Sequence, residues 1–142
     1  MSADCVVDAN VVIKLFLVEP SSEGADALFG HLADTPAACF YVPDLLYSEC
    51  ASVLWKYVRR FGYPLASAQQ DMADLIRLPL RVASTADLAE DALSLAAAAD
   101  ITAYDASYAV LARRLRLPLV TADEALVRRL AGHGVDARLL ED

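Results

Sequence analysis

Histidine and cysteine are scarce in this chain. Two histidines, His31 and His133, and three cysteines, Cys5, Cys39 and Cys50, are all it offers, with no Cys-x-x-Cys pair. That combination argues against zinc, whose protein sites need such ligands in sets at short spacing. An odd number of isolated cysteines reads instead as small core hydrophobes in a reducing compartment. Long apolar runs are missing too: the stretch from Val6 to Val18 is interrupted by Asp8, Asn10 and Lys14 and cannot span a membrane. Met1-Ser2-Ala3-Asp4 has no basic n-region, so a secretory signal is not expected and the cytoplasm is the expected location. Positive charge is the last shortage. Twelve Lys and Arg face 20 Asp and Glu, for a net charge of -8 and a pI near 4.6. A protein that holds nucleic acid by broad phosphate neutralisation would be basic. Nucleic acid is therefore either not the partner, or it meets a local basic rim and metal ions. An acidic surface also suits a basic protein partner.

Apolar residues are plentiful, at 57% of the 142, and the mean hydropathy is +0.37, which excludes a disordered chain. No repeat, low-complexity tract or linker divides the sequence, so a single domain over residues 1–142 is expected. Strands are expected at Cys5–Val7, Phe40–Val42, Arg81–Ala83 and Leu117–Val120, with Ala137–Leu139 as an edge strand. Helices should fill the intervals: Asn10–Leu17, a segment capped by Ser21 or Ser22 and running to Leu32, Pro43–Phe61 stopped by Gly62, and Tyr63–Leu78. Ala86–Ala99, Ala103–Leu115 and Asp123–Ala131 complete the set. Strands alternating with helices give an α/β fold, an open and mostly parallel sheet with helices on both faces.

Four acids stand where a short apolar run gives way to a helix: Asp8, Glu49, Asp105 and Asp123. In a parallel sheet those junctions gather at the carboxyl ends of the strands, where ligands bind. Each has an alternative reading. Asp8 is well placed to cap a helix, although Asn10 caps equally well and an unpartnered acid after a buried strand is costly. Glu49 shares a helical stripe with Leu46 and Val53, close to Cys50, Tyr57 and Phe61, where an acid must be ligating or salt-bridged. Asp105 falls in a first helical turn, favourable to an acid, but Thr102 already offers the cap. Asp123 with Glu124 looks most like an N-cap. Caps alone explain four such acids poorly. Gathered together they would repel unless a divalent cation sat between them, and the chemistry that uses such a site is phosphodiester hydrolysis. The other acids differ: Asp71, Asp74, Asp87, Glu90 and Asp91 read as solvated helix faces, and Asp44 as the N-cap after Pro43.

At these residues the chain resembles the PIN-domain ribonucleases and, among them, the VapC-type toxins of toxin–antitoxin pairs. The pieces that carry the resemblance are Val7-Asp8-Ala9-Asn10-Val11, Val42-Pro43-Asp44-Leu45-Leu46-Tyr47-Ser48-Glu49, the block from Thr102 to Ala112 containing Tyr104-Asp105-Ala106-Ser107-Tyr108, and Leu119-Val120-Thr121-Ala122-Asp123. They span nearly the whole chain in order. The resemblance implies an endoribonuclease with Asp8, Glu49, Asp105 and Asp123 around Mg²⁺ or Mn²⁺, a homodimer, and a basic antitoxin whose tail enters the site. Within that reading Asp8 and Asp105 are the best direct ligands, Glu49 is a ligand or a base, and Asp123 serves a second ion or acts through water. Asn10 stands where many relatives carry Ser or Thr and still has a hydrogen-bonding amide. Thr121 resembles the hydroxyl residue that orients the last acid.

The basic clusters Lys56/Arg59/Arg60, Arg113/Arg114/Arg116 and Arg128/Arg129 fall near expected helix C-termini and read first as charges complementing helix dipoles. Lys14 lies nearer the acids. Tyr104 and Tyr108 could stack on a base, but core packing is the simpler expectation. Trp55, Tyr57, Phe61 and Tyr63 crowd one region and imply an apolar patch for a dimer or an antitoxin. The rival readings are a PIN-like binding module without catalysis, flap-type DNA cleavage, and a phosphoacceptor receiver domain. The last lacks its acceptor Asp after Arg81-Val82-Ala83 and any Lys beyond Lys56.

Overall fold

The structure of the protein, a computed structural model, describes residues 4–17, 22–34 and 38–140. Among these residues five strands form one sheet: β1 (Cys5–Val7), β2 (Phe40–Pro43), β3 (Arg81–Ala83), β4 (Leu119–Thr121) and β5 (Ala137–Leu139). Among the described residues seven α-helices accompany them: α1 (Ala9–Val12), α2 (Ser22–Asp34), α3 (Leu45–Phe61), α4 (Leu65–Arg77), α5 (Thr85–Ala99), α6 (Ala103–Leu115) and α7 (Glu124–Leu130). The sheet order is β3-β2-β1-β4-β5 and every pairing is parallel. The expected "mostly parallel" sheet is thus parallel throughout, inside an α/β/α arrangement.

The order follows from the sequence of each strand. Cys5-Val6-Val7 is apolar at every position and fully buried, as a central strand covered on both faces must be. Arg81 and Val82 of β3 and Arg138 and Leu139 of β5 are exposed, and an arginine on each edge strand discourages edge-to-edge pairing. From β1 the chain steps outward to β2 and β3, then returns to the other side of β1 for β4 and β5. The point of reversal lies between β1 and β4, the crevice where ligands bind in such sheets. Over the sheet centre lies α6, whose residues Ala106 to Ala112 are all buried and which packs on β1, β2, β4 and α5. Among the described residues no helix is long and apolar enough to cross a membrane.

Several local expectations need correction. The helix expected over Asn10–Leu17 is a short α1 followed by a 3-10 turn at Ile13–Leu15. Ser22 begins α2 and its hydroxyl donates to the Leu17 carbonyl (3.2 Å); the cap expected of Ser21 or Ser22 turns on Ser21, which lies outside the described residues. Asp44 makes no side-chain cap on α3. Its carboxylate accepts from the Thr85 backbone N–H (3.0 Å) and from the Thr85 hydroxyl, so it serves the start of α5. Gly62 does end α3, at φ +68°. The buried stripe of α3 is Leu46, Cys50 and Leu54, whereas Phe61 and Trp55 are exposed.

Candidate active site

Asp8 follows β1 directly and is only 4% exposed. It occupies the N-cap position of α1 but makes no side-chain capping bond. Its carboxylate instead accepts a hydrogen bond from the Thr121 hydroxyl (2.8 Å). The register explains this: Val7 pairs with Val120, so the next residues, Asp8 and Thr121, are neighbours across β1 and β4. Thr121 is fully buried and also accepts from the Asn10 amide (3.2 Å) and the Asp123 backbone N–H (3.1 Å). The Asn10 side-chain Oδ1 in turn accepts from the Ala122 N–H (3.0 Å). Asn10 therefore clips α1 to the end of β4, its side-chain amide donating through one atom and accepting through another. Asn10 thus bonds Thr121 and Ala122, not the Asp8 carboxylate, and the Thr121 hydroxyl donates to Asp8 while accepting the Asp123 N–H.

Glu49 sits in the second turn of α3, half-buried, and accepts a hydrogen bond from the Tyr108 hydroxyl (2.7 Å). No arginine or lysine pairs with it among the described residues. Tyr108 is completely buried, in keeping with core packing, and burial holds its phenol protonated as a donor. The sequence offered no specific partner for Glu49; the signal was a tyrosine one turn after Asp105, followed by Ala109, Val110, Leu111 and Ala112. Asp105 enters the first turn of α6, where Thr102 caps the helix by accepting the Asp105 N–H (3.1 Å). The Asp105 side chain is thereby released from capping. Asp123 is an N-cap: its carboxylate accepts from the Leu126 N–H (3.1 Å) at the start of α7.

Asp8, Glu49 and Asp105 line one pocket of about 730 Å³, together with Asn10, Lys14, Lys56 and Tyr104. Asp123 is not on that wall. It lines a second pocket of about 410 Å³ shared with Asp105, Thr102 and Arg129. Asp105 stands between the two. The acids feel one another. Burial pushes the Asp8 carboxyl up to about 7, the Thr121 hydrogen bond opposes this, and the charges of Asp105 and Glu49 add to it. Burial also raises Glu49, against the Tyr108 bond and with the charge of Asp105. Asp105 rises through burial and the charge of Asp123, tempered by Thr102. Beneath them Cys50 is inert, its thiol pushed up to about 12 by burial and the charges of Glu49 and Asp8.

The donor set is oxygen only, which suits a hard divalent cation. Among the described residues no three His, Cys, Asp or Glu side chains converge tightly enough to cage an ion unaided. Mg²⁺ does not need such a cage, since it keeps several waters and is held through one or two carboxylates plus substrate phosphate. The residues fit a cation of that kind.

A PIN domain family profile matches residues 5–132. Ribonuclease VapC3 of Pyrobaculum aerophilum is 32% identical over 126 residues, which cover 87% of this chain and 92% of that protein. Three solved structures share the fold. PAE2754 of Pyrobaculum aerophilum superposes with a TM-score of 0.73 at 23% identity, over 96% of this chain and 83% of that one. VapBC2 of Rickettsia felis, bound to a DNA fragment from its promoter, gives 0.67 at 12% identity over 97% and 99%. A toxin–antitoxin complex from Klebsiella pneumoniae gives 0.63 at 20% identity over 92% and 94%.

Proposed function

The chain belongs to the PIN-domain family, and from that premise we propose that it is an endoribonuclease, the toxin of a VapBC-type toxin–antitoxin pair, dependent on Mg²⁺ or Mn²⁺. The observation that carries this reading is the convergence of Asp8, Glu49 and Asp105 on one pocket, free of ion pairs among the described residues. Asp8, Glu49 and Asp105 would hold the ion, with Asp123 contributing from the far side of Asp105. The ion would supply Lewis-acid polarisation of the phosphoryl group and acidify water. The protein does the rest. Thr121 and Asn10 fix the orientation of Asp8. Tyr108 holds Glu49 Oε1, which leaves Oε2 either to hold the ion or to take a proton from the attacking water. No histidine lines either pocket, so carboxylates are the proton acceptors at hand. The reading treats residues 1–142 as one nuclease domain.

The partners follow from the same membership. VapC3 is named a ribonuclease, and structural relatives were solved as toxin–antitoxin complexes; RNA and a basic antitoxin are the corresponding partners here, the latter matched to a net charge of -8. An apolar groove between α3 and α4, lined by Leu54, Trp55, Val58, Leu65 and Met72, supports a protein partner or a second copy.

The test is cleavage of a mixed structured-RNA pool by the purified protein in Mg²⁺ or Mn²⁺, with EDTA and with Asp8→Asn and Asp105→Asn variants whose folding is verified. Cuts that need the metal and vanish in the folded variants are expected. Cleavage that persists in EDTA or in both variants would overturn the reading, and metal binding without any cleavage would favour the binding module.

A further inference from the structure

An acidic protein that cuts RNA must still hold it, and the wall of the acid pocket contains the means. Lys14 and Lys56 are the only lysines in the chain, and both line this pocket. Neither enters an ion pair among the described residues, whereas Arg77, Arg114, Arg128, Arg129 and Arg138 are each paired with an acid. None of the arginines lines the pocket. Helical spacing accounts for the placement. Lys56 lies two turns beyond Glu49 on one face of α3, with Ser52 between them, and Lys14 one turn beyond Asn10. Lys56 therefore belongs to the pocket, not to the C-terminal cluster of α3 in which the sequence seemed to group it. Beside Asp105, the Tyr104 ring is 66% exposed on the same wall, contrary to the expectation of core packing.

Charge makes the arrangement conditional. With all three acids ionised, three carboxylates outweigh two ammonium groups, so the pocket alone repels a phosphodiester; one divalent ion reverses the balance. The far side of Asp105 offers no equivalent, because its one cation, Arg129, is bonded to the Asp100 carboxylate (2.9 Å).

Resting on the nuclease reading, we propose that Lys14 and Lys56 grip phosphates next to the scissile bond while Tyr104 stacks on an adjacent unpaired base, so that the RNA strand is held on the α1/α3 side only. Lysine suits this as a mobile point charge, and an exposed aromatic beside a phosphate track is how unpaired bases are gripped.

The experiment is fluorescence anisotropy of a short mixed-sequence RNA strand, and of its duplex, bound to the full chain across a salt series. Ca²⁺ replaces Mg²⁺, its looser coordination favouring binding over turnover. Lys14→Gln and Lys56→Gln should each lower the slope of log affinity against log salt by about 0.7, the single-strand value per phosphate contact. Arg77→Gln and Arg138→Gln should leave it unchanged. Tyr104→Leu should weaken the single strand about ten-fold, consistent with about 1–3 kcal/mol per stacked base, spare the duplex, and be rescued by Tyr104→Phe. Wild-type binding with unaltered slopes in both lysine variants, or equal losses on strand and duplex for Tyr104→Leu, would overturn the grip while the nuclease reading stands. No RNA binding by the wild type would overturn both.

Discussion

In the proposed function Asp8 is the residue on which the chemistry turns, and its burial has a measurable consequence. In the folded protein its carboxyl titrates near 7, against an ordinary value of 3.8. The unfolded chain therefore gives up this proton first, and between those values the folded state binds more protons. Stability from this group is full below 3.8 and is lost as pH rises through about 7. Thermal unfolding in EDTA should show the wild type losing stability over that window, with Asp8→Asn flatter and more stable at the alkaline end. The same variant should lose cleavage by at least ~100-fold, because an amide cannot supply the negative charge that a cation needs. Tyr108→Phe tests the second acid. It removes a hydrogen bond to a half-buried carboxylate, a change of about 1–2 kcal/mol in stability, and frees Glu49 to rotate. Steady-state kinetics should show the fall in kcat with little change in KM.

At the scale of elements, helix ends place the acids. Thr102 caps α6 and so leaves the Asp105 carboxylate free; Thr102→Ala should cost about 1 kcal/mol and also depress cleavage. Gly62 is the contrasting case. It sits at φ +68° with nothing within 4 Å of where a Cβ would be, so Gly62→Ala pays only backbone strain, about 1 kcal/mol, and cleavage should be unchanged once the protein is folded. Denaturant unfolding of the two variants beside their RNA cleavage separates the roles. Much of this layer was legible in the sequence, because apolar runs bounded by Pro, Gly and hydroxyl residues mark elements strongly: β1, β3, β5 and α6 lie where the pattern put them. What was hidden depended on contacts between elements. The periodicity of α3 identified a buried face but not how far along the helix the core extends: Phe61 lies near that stripe yet is exposed, as is Trp55, in the region where an apolar patch is expected. Asp44 seemed to cap the helix that follows it, because its actual partner, Thr85, is 41 residues away.

For the whole molecule, the strand order decides the site. Only because β4 returns to the far side of β1 do Asp8 and Thr121 become neighbours. Local context singled out four acids and marked Asp123 as the one most like an N-cap; it does cap α7 and faces a second pocket, while the other three share one. A divalent ion should therefore stabilise the whole fold by binding the native state alone, and more at pH above the Asp8 transition than below it, since protons compete for the same oxygens. Shifts of the unfolding temperature with Mn²⁺ on either side of about 7 measure this. The most direct test of the central claim is calorimetric titration of Mn²⁺ into the wild type and into folded Asp8→Asn above that transition. Saturable binding in the wild type, abolished or greatly weakened in the variant, is the predicted result. Equal binding by both proteins, or none by the wild type, would contradict a cation centre built on Asp8.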